Sequence, residues 1–300
     1  MTGVSTSAFY DRSNLDLSSL RARADALQAA ISSGQRLGTS SDDPVAAARI
    51  RSLTRLDSFA AVDTTVAARA SSDLSLTDQA LSQFTNTVIR VKELATQAAT
   101  GILTTGQRAG IATELDQIGI ELQRLSNARD SNGHALFGGD TAGDAYSFDA
   151  AGNPTYIGTA SASDLPLGDG QTVTRGLTGP EIMNFGGTNL FAVVKTLSDA
   201  LKGAVADPAQ AARDALAPLE TGMETLTTQQ TVIGARLNWI DLNTERATAM
   251  SQQRSDEEAS VGGTDLTLAV SQLQQTMTVL EASQASFAKL AQLSLFDLLR

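Results

Sequence analysis

The sequence predicts a mainly α-helical chain with a β insert: a long coiled-coil and bundle rod formed by the N- and C-terminal segments, plus a small β-rich outer domain. Three observations carry this expectation. Glycine and proline are absent from Val45 to Thr100, Val4 to Ser33, Ala235 to Val261 and Thr264 to Arg300, whereas Gly133 to Gly187 holds 12 of the 24 glycines and three of the six prolines. Because these two residues break helices most strongly, the chain reads as helix, turn-rich insert, helix. Within the helical regime, apolar residues recur at alternating spacings of three and four, which keeps one stripe facing a partner. The apolar content itself is made of 46 alanines and only 13 aromatics, suited to helices packed closely side by side.

Taken in order, the first stripe is Leu17, Leu20, Ala24, Leu27, Ile31, broken from the next helix by Ser32 to Asp43. In that loop Asp43 suits an N-cap, Pro44 the first helical position, and both Asp42 and Asp43 lie near the positive end of the helix dipole. The long second helix carries Leu74, Thr77, Leu81, Phe84, Val88, Val91, Ala95 and Ala98, followed by Ile111, Leu115, Ile118, Leu122 and Leu125. In the insert, Tyr146–Phe148 and Thr155–Ile157 flank a turn, and Gln171–Arg175 reads as a further strand. With one basic residue among seven acidic ones from Asp130 to Glu181, the insert is expected to be a solvated outer lobe. The returning stripe is Leu216, Leu219, Met223, Leu226, Gln230, Ile233, Leu237, Ile240, and Gln252 to Asp265 is expected to separate it from the last, Leu266, Val270, Leu273, Met277, Leu280, Gln284, Phe287.

Domain boundaries follow from these breaks. Residues 1–40 form one half of a terminal coiled-coil domain and 253–300 the other; 41–137 and 188–252 are the two parts of a helical rod domain, and 138–187 is the β-rich outer domain. The terminal stripes have little else in sequence to bury them, and a two-helix ribbon of that size buries too little to be robust alone. Copies of the same chain are the expected complement.

Composition excludes several function classes. Thirty-three acidic against 22 basic residues give a net charge of −11, which does not suit a nucleic-acid binder. No cysteine is present and there is one histidine, His134, so thiolate zinc sites, a cysteine nucleophile and an imidazole metal cluster within one chain are ruled out. No cofactor and no metal is expected: Gly168-Asp169-Gly170 lacks the third glycine of a dinucleotide loop, Gly34 and Gly38 are not followed by the lysine of a phosphate loop, and Asp140, Asp144 and Asp149 are out of register for a calcium loop. His134 sits beside an Asn-Gly turn with no evident nucleophile, and Trp239 reads as a helix anchor. A hydrolytic enzyme or a glycan-binding module would rest only on the acid-rich turns of the insert, whose Asp, Asn and Gly content has a backbone explanation. The chain is therefore read as non-enzymatic. No window is long and apolar enough for a membrane span, and neither a basic start nor an apolar run marks a cleaved secretory signal, which by itself favours the cytoplasm.

Three segments resemble the bacterial flagellin superfamily. Ile31 to Ala47, with Gly34, Arg36, Leu37, Asp42, Asp43 and Pro44, is similar to the family's loop between terminal and core helices. Val232 to Asn238, with Gly234, Arg236, Leu237 and Asn238, resembles its returning core helix, and Thr264 to Arg300 its C-terminal helix. Asp42-Asp43-Pro44, the run Asn132 to Gly139 and the ending Ala291 to Leu299 are closer to the family's hook-filament junction members than to filament flagellin, although Leu298-Leu299-Arg300 also fits a short filament flagellin. The resemblance implies a structural subunit exported unfolded through the flagellar type III apparatus, bound beforehand by an export chaperone at its C-terminal helix. It would form a ring of identical copies outside the cell, with hook-associated protein 1 on the hook side and flagellin on the filament side. Leu17, Leu20, Leu27 and Ile31 would then pair with Leu273, Met277, Leu280 and Phe287, with Leu295 and Phe296 in the same assembly surface.

Overall fold

The structure is a computed structural model that describes the backbone of residues 6–298 and the side chains of residue 8 and residues 10–289. Among the described residues, seven main helices and three small hairpins follow one another, and the chain divides into two compact units: Met1–Phe59 with Ala249–Arg300, and Ala60–Thr248. The boundaries fall inside two long helices, α2 (Pro44–Ala99) and α6 (Pro208–Gly262).

The terminal unit holds α1 (Thr6–Ser33), the start of α2, the end of α6, and α7 (Leu266–Leu298), with α1 packed along α7. Here one expectation is corrected. The stretch from Gln252 onward is not a break; helix α6 continues to Gly262, and only residues 263–265 separate it from α7. The polar composition misled because these charges are spent on α2: Glu257 receives two hydrogen bonds from Arg49 at 2.6 and 2.8 Å, Glu258 accepts from Thr54 at 2.9 Å, and Arg254 reaches Asp57 at 2.6 Å. Asp265 then caps α7, accepting from the Leu268 N–H at 3.0 Å.

In the second unit, α2 supplies Leu74, Leu81, Phe84, Val88 and Val91, none of them measurably exposed, to a core shared with α3 (Thr105–Ser126), α5 (Leu190–Asp199) and α6. The predicted stripe is this core face, and Thr77 fits it because its hydroxyl donates back to the Asp73 carbonyl at 2.9 Å.

The insert belongs to the same unit and buries Phe137, Tyr146, Leu167, Val173 and Leu177 in the same core. Strands β1 (Tyr146–Phe148) and β2 (Pro154–Tyr156) pair antiparallel around a turn closed by Asp149, whose carboxylate accepts from the N–H groups of Ala151 and Asn153. Asn127, at the end of α3, clamps the start of β1 with three hydrogen bonds of 2.9 Å, two accepted from Ala145 and Tyr146 N–H and one donated to the Tyr146 carbonyl. The strand expected near Gln171 is β4 (Gln171–Thr174), and its partner is β3 (Asp164–Gly168). A third hairpin, β5 (Asn184–Phe185) with β6 (Thr188–Asn189), turns at Gly186 and Gly187, both at positive φ. Between them lies a short helix, α4 (Gly179–Met183).

Register decides which backbone groups of the β3–β4 hairpin remain open. Arg175 N–H donates to the Ser163 carbonyl, so alternate residues, Thr172 and Thr174 on one side and Asp164 and Pro166 on the other, turn their backbone groups outward. Trp239 of α6 donates its indole N–H to the Thr172 carbonyl at 3.2 Å, and Arg236 donates to the Gly176 carbonyl at 2.7 Å.

Candidate assembly surface

The family-motif loop between α1 and α2 is built from backbone satisfaction. Gly34 leaves α1 at φ +70°, a left-handed turn that L side chains rarely adopt. The following residues pair with the α6–α7 turn: Arg36 N–H donates to the Gly262 carbonyl at 2.8 Å and Thr264 N–H to the Gly34 carbonyl at 2.9 Å. Arg36 then bridges, donating to the Asp43 carboxylate at 3.2 Å and to the Val261 carbonyl at 3.1 Å. Asp42 folds the loop on itself by accepting from Gly38 N–H, Thr39 N–H and the Thr39 hydroxyl at 2.9, 2.7 and 2.8 Å. Asp43 caps α2 through Ala46 N–H at 3.1 Å, and Pro44 is the first helical residue.

These contacts set the electrostatics. The Thr39 N–H, with the Thr39 hydroxyl behind it, holds the Asp42 carboxyl below its ordinary value; the Ala46 N–H and then the Arg36 hydrogen bond do the same for Asp43. Both carboxylates are solvent-facing, so they fix loop shape more than they stabilise the unit.

On the terminal helices, Leu17, Leu20, Leu27 and Ile31 are half-buried, with Ala24 buried among them. On α7, Leu280 is buried at 7% exposure, Leu273 and Phe287 are half-buried, and the Phe287 ring meets Tyr10 edge-on with centroids 5.5 Å apart. Met277 is 43% exposed. The side chains of Leu295 and Phe296 lie outside the described residues. Beyond the paired face, Leu266, Leu268, Val270 and Val279 are also more than two-fifths exposed. An apolar helix covered on one side only has surface left for a partner.

On the returning core helix the motif residues divide. Arg236 ties α6 to the insert, Leu237 packs on the core, Asn238 is exposed, and Gly234 has open space where a Cβ would stand. Sequence reasoning did not find the cross-helix pairs Arg49–Glu257 and Arg254–Asp57; charges at helical spacing on both long helices were the available signal. His134 lies in a small polar knot instead of a catalytic site. Its N–H donates to the Asp130 carboxylate at 2.9 Å, and its ring and Arg175 meet the other Asp130 oxygen at 3.4 and 3.3 Å. Among the described residues, no three His, Cys, Asp or Glu side chains are grouped to hold a metal, and no helix is long and apolar enough to cross a membrane.

Comparison with known proteins gives this surface its context. The family model for the bacterial flagellin N-terminal helical region matches residues 4–142. Flagellar hook-associated protein 3 of Escherichia coli K12 is 27% identical over 292 residues, covering 89% of this chain and 90% of the relative; its Salmonella typhimurium counterpart is 26% identical over 321 residues, covering 99% of each. Among solved structures, a flagellar hook-associated protein of Vibrio parahaemolyticus has a TM-score of 0.69 at 23% identity, covering 74% of this chain and all of that one. Xanthomonas campestris FlgL has a TM-score of 0.62 at 16% identity, covering 69% of this chain and 99% of that one, a likeness of fold. The chain thus matches the flagellin helical region over its N-terminal part and is similar to hook-associated relatives along nearly its whole length.

Proposed function

We propose that this chain is a structural, non-enzymatic subunit of the bacterial flagellum, placed outside the cell at the junction between hook and filament. The observation that carries this reading is the near full-length similarity to hook-associated protein 3 of two species. The half-covered terminal helices support the mode of action. Copies of the chain associate through α1 and α7, and neighbouring subunits cover Leu266, Leu268, Val270, Met277 and Val279, which the pair leaves exposed. Hook-associated protein 1 contacts the ring on the hook side and flagellin on the filament side, and an export chaperone holds the C-terminal helix before secretion.

Labelled antibody against the chain on intact flagella tests the reading. A single band between hook and filament is expected; label along the whole filament would make the chain a filament flagellin instead. Amide exchange tests the mode of action. Residues 266–289 are expected to exchange faster in the dilute chain than in the assembled one, and equal protection in both would overturn association through these helices.

A further inference from the structure

The chain has no cysteine, so its oxidisable sulfur is confined to five methionines. Met1 lies outside the described residues, and the other four sit in different surroundings. Met183 is fully buried in the core of the second unit, and Met223 is half-buried against that core. Met250 of α6 and Met277 of α7 are open, at 42% and 43% exposure. Met277 is set apart from Met250 by its neighbours. Leu266, Val270 and Met277 follow at intervals of four and seven residues, so they share one face of α7, and all three are exposed. Met277 also lies four residues from Leu273 and three from Leu280, which face the seam with α1. Its thioether therefore stands on an apolar flank that continues the seam outward.

We propose that Met277 is a modification site, at which oxidation by a peroxide controls whether copies of the chain associate. One oxygen of hydrogen peroxide is transferred to the Met277 Sδ as the O–O bond breaks; the sulfur is oxidised from thioether to sulfoxide, and the remaining oxygen leaves as water. Reduction by two thiols returns the thioether, the added oxygen again leaving as water while the thiols join in a disulfide. A thioether suits an apolar contact, whereas a sulfoxide is polar and resists burial where no donor meets it. The reaction is open to the free chain, and association covers the sulfur, so assembly protects the site that governs it. The inference rests on the reading that copies of the chain associate through α7.

The test uses the full-length chain with Met250→Leu, which leaves Met277 as the exposed thioether among the described residues, and the same chain with Met277→Leu added. Both are treated with dilute hydrogen peroxide. Peptide mass mapping should place sulfoxide on Met277 of the dilute chain, with Met183 unmodified, and should find Met277 protected in sedimented polymer. The oxidised chain should need a concentration roughly 10- to 100-fold higher to form polymer, the loss expected when one apolar side chain is no longer accommodated at the contact, with melting of the dilute chain unchanged. Peroxide should leave the threshold of the Met277→Leu chain where it was. Equal oxidation of Met277 in polymer and dilute chain, an unchanged threshold after oxidation, a rise matched by lower melting, or the same rise in the Met277→Leu chain would each overturn the inference while leaving self-assembly standing. Absence of polymer from the untreated native chain would overturn the underlying reading as well.

Discussion

Leu280→Ala separates the two units energetically. Among the described residues of α1 and α7, Leu280 is the only apolar side chain larger than alanine that is fully buried; the other buried apolar positions are Ala24 and Ala269. Truncating a leucine so enclosed costs about 2–5 kcal/mol through lost transfer and the cavity left behind. That is a large share of the stability of any unit of this size, which is typically about 5–15 kcal/mol in total. None of it should reach the second unit, whose core of Leu81, Phe84, Val88, Leu122 and Leu226 does not include Leu280. Read by amide exchange in the dilute chain, peptides from residues 266–289 should exchange roughly 30-fold to several thousand-fold faster, at about 1.4 kcal/mol per tenfold. Peptides from 74–98 should be unchanged. If both regions accelerate together, the units are one cooperative block and the argument fails; if neither does, Leu280 is not the keystone of the α1–α7 seam.

Further outcomes follow from single contacts. Trp239→Phe removes the hydrogen bond to Thr172 while keeping an aromatic ring, and should cost about 0.5–1.5 kcal/mol of second-unit stability in denaturant melts, with faster exchange along 171–176. Gly222→Ala should cost about 1–3 kcal/mol by the same measurement, because its Cβ would stand 2.7 Å from the Phe185 ring. The Asp42 and Asp43 carboxyls are held below their ordinary value of 3.8, so the stabilisation they give the motif loop is complete above that pH and is lost as pH falls below it. Limited proteolysis at residues 36–43 should accelerate as pH falls below 3.8, and Asp42→Asn with Asp43→Asn should flatten that dependence.

Where one signal dominated, the sequence could be read directly. Asp43-Pro44 and the absence of breakers to Thr100 give α2 almost to the residue, and the stripe from Leu74 to Ala98 is its buried face because three other helices surround it. The terminal seam was less legible. Apolar residues lie on several faces of α7, and spacing alone does not say which face meets α1, so Met277 and Leu280 read alike while one is 43% and the other 7% exposed. The helix through 252–262 was hidden because its glutamates and arginines resemble a solvated loop until their partners on α2 are known. Strand β3 was masked by Pro166, a residue that argues against a strand unless its backbone nitrogen faces outward at an edge, as it does here.

That edge also bears on how the chain avoids the wrong kind of polymer. On the proposed reading copies of the chain meet at high local concentration, and an open strand is a template for runaway pairing. On β3 the outward position of Pro166 offers no N–H to an incoming strand, and on β4 the Thr172 carbonyl is already occupied by Trp239. With one outward position closed on each rim of this hairpin, the proposed association is left to side-chain packing of the helices and not to fibril-like backbone zippering.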